Sequence, residues 1–127
     1  PEGEWLFAQK RPGWAMPIHP LLVKHGVNIV FHGHDHLYVE EPLDGMIYQE
    51  VPQPGYPRLD NTRSAEEYGY TQGVILGSSG HLRVQVNGSR ATVEYVRAYR
   101  EVDESSTRHN GEVSRRYEVV PRFKPGS

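Results

Sequence analysis

The chain has 127 residues, a net charge of −2, no cysteine, 36% apolar residues, 13 glycines and 10 prolines. That length fits one domain or part of one. Lys and Arg are mixed with acids and form no stripe, which argues against nucleic-acid and anionic-membrane partners. Without cysteine there is neither a disulfide framework nor a thiolate ligand, and no apolar run approaches the roughly 20 residues of a membrane helix.

In chain order, residues 1–17 (PEGEWLFAQKRPGWAMP) read as an irregular segment held by aromatic anchors, with Trp5, Phe7 and Trp14 expected in a core. The chain opens in PEGEW with no initiating Met, which reads as an internal start within a longer protein. A short helix is expected in IHPLLVKHG, because Ile18, Leu21, Leu22 and His25 share one face. Pro20 is tolerable in its first turn, and Gly26 suits the left-handed position after its end. Val27 to Phe31 is apolar and β-branched, which predicts a buried, parallel strand fed by that helix.

The chain then runs through HGHDH into residues 37–41, turns at Asp44-Gly45, and returns over 46–51 as a hairpin. Residues 52–70 lack a period and are rich in Pro, the pattern of a lid or a disordered excursion. A strand follows at 72–76, and then GSSGH. Residues 82–86 and 91–99 alternate around Asn87-Gly88 as a second hairpin. Residues 101–111 read as a mobile polar loop, 112–120 as a last strand, and the PRFKPGS tail as disordered. The organisation expected is a principal unit over 1–100 followed by 101–127.

Three of the seven histidines fall within five residues: His32, His34 and His36. They sit just beyond the carboxyl end of the expected strand, where α/β sheets gather ligand sites. Gly33 lets the chain leave β geometry, so His34 and His36 can aim at different points. Imidazole suits transition metals, and two such ligands on one turn suit a metal pair about 3.5–4 Å apart. The competing reading is a solvated, histidine-rich turn. His32 either orients a ligand from behind or caps the strand end, and Asp35 either holds an imidazole N–H or is a solvated turn residue. His81 either approaches the rim of the site or bonds its own loop. His19 and His25 are expected to pack at the surface of the helix, and His109 to be solvated. Arg11 and Trp14 could touch substrate, with packing the simpler role.

The segment VNIVFHGHDHLY, with Gly33-His34-Asp35-His36 at its centre, resembles the final metal motif of calcineurin-like metallophosphoesterases. KRPGW at 10–14, PIHPLLV at 17–23, DGMIYQEVPQP at 44–54, SGHLRVQV and YVRAY resemble one bacterial branch of that family, so the likeness spans roughly residues 5–100. It implies an α/β, β-rich fold: the C-terminal part of a two-sheet β-sandwich flanked by helices and carrying β-hairpins. It implies hydrolysis of a phosphate ester by two transition-metal ions (Fe, Mn, Zn or Co), with His34 on one and His36 on the other. The family's remaining ligands come from Asp-X-His, Gly-Asp-X-X-Asp and Gly-Asn-His motifs and a further His, all earlier in chain order. None occurs here, so they are expected upstream of Pro1.

The charge balance points the same way. Two metals concentrate about four positive charges that neutral imidazoles do not offset, so carboxylates must come from elsewhere. The chain alone is therefore expected to be inactive. Its partners are expected to be the phosphate-ester substrate, the upstream part of the same protein and, through open sheet edges, a second copy of the chain. The alternative is a non-catalytic β-rich module that binds metal or protein through the HGHDH turn.

Overall fold

The computed structural model describes residues 5–55 and 58–122. Two short helices, α1 (Phe7–Lys10) and α2 (Ile18–Lys24), precede the strands. The strands are β1 (Ile29–His32), β2 (Tyr38–Leu43), β3 (Met46–Glu50), β4 (Val74–Leu76), β5 (Gly80–Val86), β6 (Ala91–Arg97) and β7 (Val113–Val119). They form a four-stranded sheet in the order β1-β3-β2-β4 and a three-stranded sheet in the order β5-β6-β7. The chain is thus mostly β, with two sheets and few helices.

Helix α2 forms where the apolar spacing places it. Pro20 lies in its first turn, and Gly26, at φ +70°, ends it. Its side chains are not covered as an amphipathic helix requires, because Ile18 and Leu21 remain exposed. What ties it to the sheet is His19, which contacts the Tyr48 hydroxyl at 2.6 Å and the Asp44 carboxylate at 2.7 Å.

Strand β1 is parallel to β3, as the helix-strand pattern predicts, with Ile29 opposite Ile47 and His32 opposite Glu50. The expectation of a buried strand does not hold. β1 is the edge of its sheet, and Phe31 is 45% exposed, since no described residue covers that side. The expected aromatic core at the start of the chain is likewise absent among the described residues. Trp5 is 74% exposed and stacks on Phe7 with ring centroids 6.0 Å apart, while Trp14 lies exposed beneath the Arg11 guanidinium.

Hairpin β2–β3 closes as read. Asp44 (φ +50°) and Gly45 (φ +78°) both occupy the left-handed region that matches strand twist in a two-residue turn. This turn fixes the register, pairing Leu43 with Met46 and Val39 with Glu50. Hairpin β5–β6 closes differently from the expected Asn87-Gly88 turn, since pairing stops at Val86 and Ala91. The Asn87 side-chain oxygen accepts from the Ser89 and Arg90 backbone N–H groups, and this capping sets a longer loop.

Two loops expected to be loose are tied down. Ala65 is buried against Leu37 and Val39, with Tyr70 and Ile75 packed on the cluster. The Asp60 N–H donates to the Ser78 carbonyl at 2.8 Å, and its carboxylate pairs with Arg97 and Arg108. Residues 56 and 57 of the expected excursion lie outside the described residues, as does the tail from 123. Residues 101–111 contain a short 3-10 turn (Glu101–Asp103), a bridge between Ser105 and Arg108, and Asn110, whose side chain accepts from the Tyr99 N–H at 3.0 Å. These bonds give the segment an ordered path back to β7, which pairs antiparallel with β6.

The sheets meet through aromatic and polar side chains. Tyr38 of β2 stacks on Tyr95 of β6 with centroids 4.8 Å apart, a contact worth about 0.5–1.5 kcal/mol beyond its buried area. Arg115 of β7 grips the buried Glu40 carboxylate at 2.8 and 3.0 Å, and the Tyr117 hydroxyl donates to Gln49 at 2.9 Å. Buried Arg97 lies between the Tyr95 and Tyr99 rings. Among the described residues no helix is long and apolar enough to cross a membrane.

Candidate metal-binding loop

β1 ends at His32, and the chain bends away through residues 33–37 before β2 begins. His34 has φ +123° and His36 has φ +60°. Non-glycine residues rarely occupy positive φ, and two in one short loop hold strain that the surroundings must stabilise. Four contacts do so. The Asp35 N–H donates to Glu50 Oε1 at 3.0 Å, and the Ser78 hydroxyl donates to the His36 carbonyl at 2.7 Å. The Tyr70 hydroxyl donates to Asp35 Oδ2 at 2.6 Å, and Leu37 drops into the small apolar cluster with Val39 and Ala65.

Asp35 is not a solvated turn residue. Its second oxygen, Oδ1, lies 2.9 Å from His34 Nδ1. The Tyr70 hydroxyl, and after it the His34 imidazole, holds the Asp35 carboxyl below the usual carboxylate range. Burial, and then the bond to Asp35, pushes the Tyr70 phenol upward. The His34 side chain is 86% exposed. With Nδ1 engaged by a carboxylate, Nε2 is the nitrogen left to face outward. Histidines that bind metal commonly have this arrangement, because the carboxylate fixes the ring and raises its basicity.

His32 has a similar companion. Its Nδ1 lies 2.5 Å from Oε2 of Glu50, a side chain with no solvent exposure. This is an ion-pair distance without the alignment of a hydrogen bond. Among the described residues, His32 thus contacts Glu50 and neither of the other two loop histidines. Glu50 thus serves both His32 and the backbone of Asp35. His36 is exposed at the far side of the loop. It borders a cavity of about 360 Å³ whose other wall is the 58–68 segment. His81 lies elsewhere, exposed on β5 opposite Val96, and does not line that cavity.

Among the described residues no group of three or more His, Asp or Glu is gathered closely enough to hold a metal ion. The loop by itself presents the exposed imidazoles of His34 and His36 and the engaged carboxylate of Asp35. Glu50, Tyr70 and Ser78, which build the loop, were not singled out from the sequence. Glu50 alone left a signal, as an acid in a strand otherwise read as alternating. Comparison of the chain with protein-family models, curated proteins and solved structures finds no match.

Proposed function

We propose that this chain is part of a metal-dependent phosphoesterase and contributes His34 and His36 to a two-metal centre. The observation that carries the reading is the Asp35–His34 contact, on a loop where both histidines sit at positive φ. Such strain and such a ring-orienting carboxylate serve a group that must be held in one geometry. The two-sheet fold is, on this reading, the C-terminal part of a β-sandwich flanked by helices.

The metals, when bound, would supply polarisation of the phosphoryl group and activation of a water. This chain's residues do the rest of the positioning. Asp35 fixes the His34 ring, Glu50 and Ser78 fix the loop backbone, and Leu37 anchors it to the core. The carboxylates that two metals require would come from an upstream part of the same protein. Support for such a part comes from the exposed Trp5, Trp14 and Ile18, which line one apolar cleft, and separately from exposed Phe31 on the open edge of β1.

The test compares the chain with a longer protein that also carries the upstream acidic motifs. With Mn²⁺ present, the longer protein should hydrolyse p-nitrophenyl phosphate, and the chain alone should not. His34→Ala and His36→Ala should each lower the longer protein's activity roughly 10²-fold or more. Full activity in both variants would refute the assignment and favour a non-catalytic binding module.

A further inference from the structure

We infer that the cavity beside His36 is an anion-binding subsite, and that the 58–68 segment is its recognition wall. Arg58, Asn61, Arg63 and Ser64 line that wall, and Asp35 and His36 line the opposite side. The volume, about 360 Å³, exceeds what a phosphate ion needs and is enough for a small organic group that carries one.

The arginines on this wall lack the carboxylate partners that most arginines of the molecule have, a lack they share with Arg11 and Arg122, which bond backbone carbonyls. The arginines from Arg83 to Arg116 are all paired with carboxylates: Arg83 with Glu94, Arg90 and Arg116 with Glu118, Arg97 and Arg108 with Asp60, Arg100 with Asp103, and Arg115 with Glu40. Among the described residues neither Arg58 nor Arg63 has such a partner. The one acid between them in sequence, Asp60, is turned to Arg97 and Arg108 and cannot neutralise them. Across the cavity, both Asp35 oxygens are engaged by Tyr70 and His34. Asp35 and Glu67 equal the two guanidinium groups in formal charge, yet among the described residues neither carboxylate forms an ion pair with Arg58 or Arg63.

The wall is also built to stay in place. The Asp60 pairs and the buried Ala65 pin it on either side of Arg63, and the Arg63 backbone N–H donates to Asn61 Oδ1 at 3.1 Å. A guanidinium fork matches the oxygens of phosphate or carboxylate, and the pinned backbone keeps two such forks on one wall. On the phosphoesterase reading, which this inference extends, an anion here would sit on the leaving-group side of an ester bound at His36. The substrate class is then a phosphate ester whose leaving group carries a second anionic group, a further phosphate or a carboxylate.

The experiment is a titration of the ¹⁵N-labelled chain with pyrophosphate in buffer containing EDTA, so that no metal contributes. Saturable amide shifts should localise to residues 35–36 and 58–68. Arg58→Ala and Arg63→Ala should each weaken binding about tenfold. Arg90→Ala, which removes the same charge outside the cavity, should leave binding unchanged. Shifts that do not saturate, or equal weakening by all three variants, would overturn the subsite. Because no metal is present, the result is independent of whether His34 and His36 are ligands. In a longer, active protein, the Arg58→Ala/Arg63→Ala variant should raise KM for anionic-leaving-group esters and not for p-nitrophenyl phosphate. An equal rise for both substrates would overturn the placement at the leaving group.

Discussion

Replacing Glu50 by alanine probes the support of the His34–His36 loop directly. The Glu50 side chain is wholly buried, accepts from the Asp35 N–H at 3.0 Å and lies 2.5 Å from His32 Nδ1. Alanine would leave the Asp35 donor without its acceptor, at about 1–3 kcal/mol. It would also open a small cavity, adding roughly 1 kcal/mol. His32 is about a third exposed, so solvent screens its half of the pair and its loss adds little. The sum is about 2–4 kcal/mol. With a urea m-value of roughly 1.5 kcal/mol/M for a chain of this size, the midpoint should fall by roughly 1–3 M. Glu50→Gln keeps an acceptor for the Asp35 N–H and should lose only about 1 kcal/mol. A double-mutant cycle with His32→Ala isolates the pair from the backbone bond. Midpoints for both Glu50 variants within error of the parent chain would refute the idea that this carboxylate anchors the loop.

Three further outcomes follow from the fold. Burial pushes the Tyr38, Tyr95 and Tyr117 phenols well above their ordinary value. A group raised on folding stabilises the fold below its unfolded value, and that contribution is lost as pH climbs from about 10 toward the folded value. Absorbance at 295 nm should therefore show these three tyrosines ionising only with alkaline unfolding. Ionisation of all eight tyrosines near pH 10 in the folded chain would contradict it. Gly80→Ala places a Cβ against the Tyr95 ring and the Val96 carbonyl, and thermal unfolding should report a loss of about 1–3 kcal/mol. An unchanged melting temperature would mean that the strands can separate there. The edge of β1, flanked by exposed Phe31, should make the isolated chain associate with rising concentration in light scattering. A monomer at all concentrations would show that the edge is protected.

Local chemistry in the sequence carried the elements well. Ile18 to Gly26 specified a helix and its stop, Asp44-Gly45 specified a hairpin and its register, and the alternation of 82–86 with 91–97 specified a strand pair. What was illegible depended on distant partners. β1 leads straight into β2 through a short loop, yet it pairs with β3, and only that crossover sets His32 opposite Glu50. Tyr70 and Ser78 reach the loop from 35 and 42 residues away, distances at which no periodicity carries information. Residues 58–70 looked unstructured because their order comes from Asp60 and Ala65 docking on other elements rather than from any repeating pattern. The apolar residues of β1 and of the first segment suit a core by composition. Their exposure reflects the lack of any described element that covers them.

The account rests on His34 and His36 being metal ligands, and paramagnetic broadening by Mn²⁺ tests this most directly. Two imidazoles alone should bind weakly, so the ¹⁵N-labelled chain is titrated into the millimolar range at neutral pH. Resonances of residues 33–37 should broaden first, ahead of those around His19, His25, His81 and His109. A His34→Ala/His36→Ala variant should lose that selectivity while its amide resonances outside residues 33–37 remain those of the folded parent. Broadening that begins elsewhere, or that persists on the loop in the double variant, would contradict the assignment.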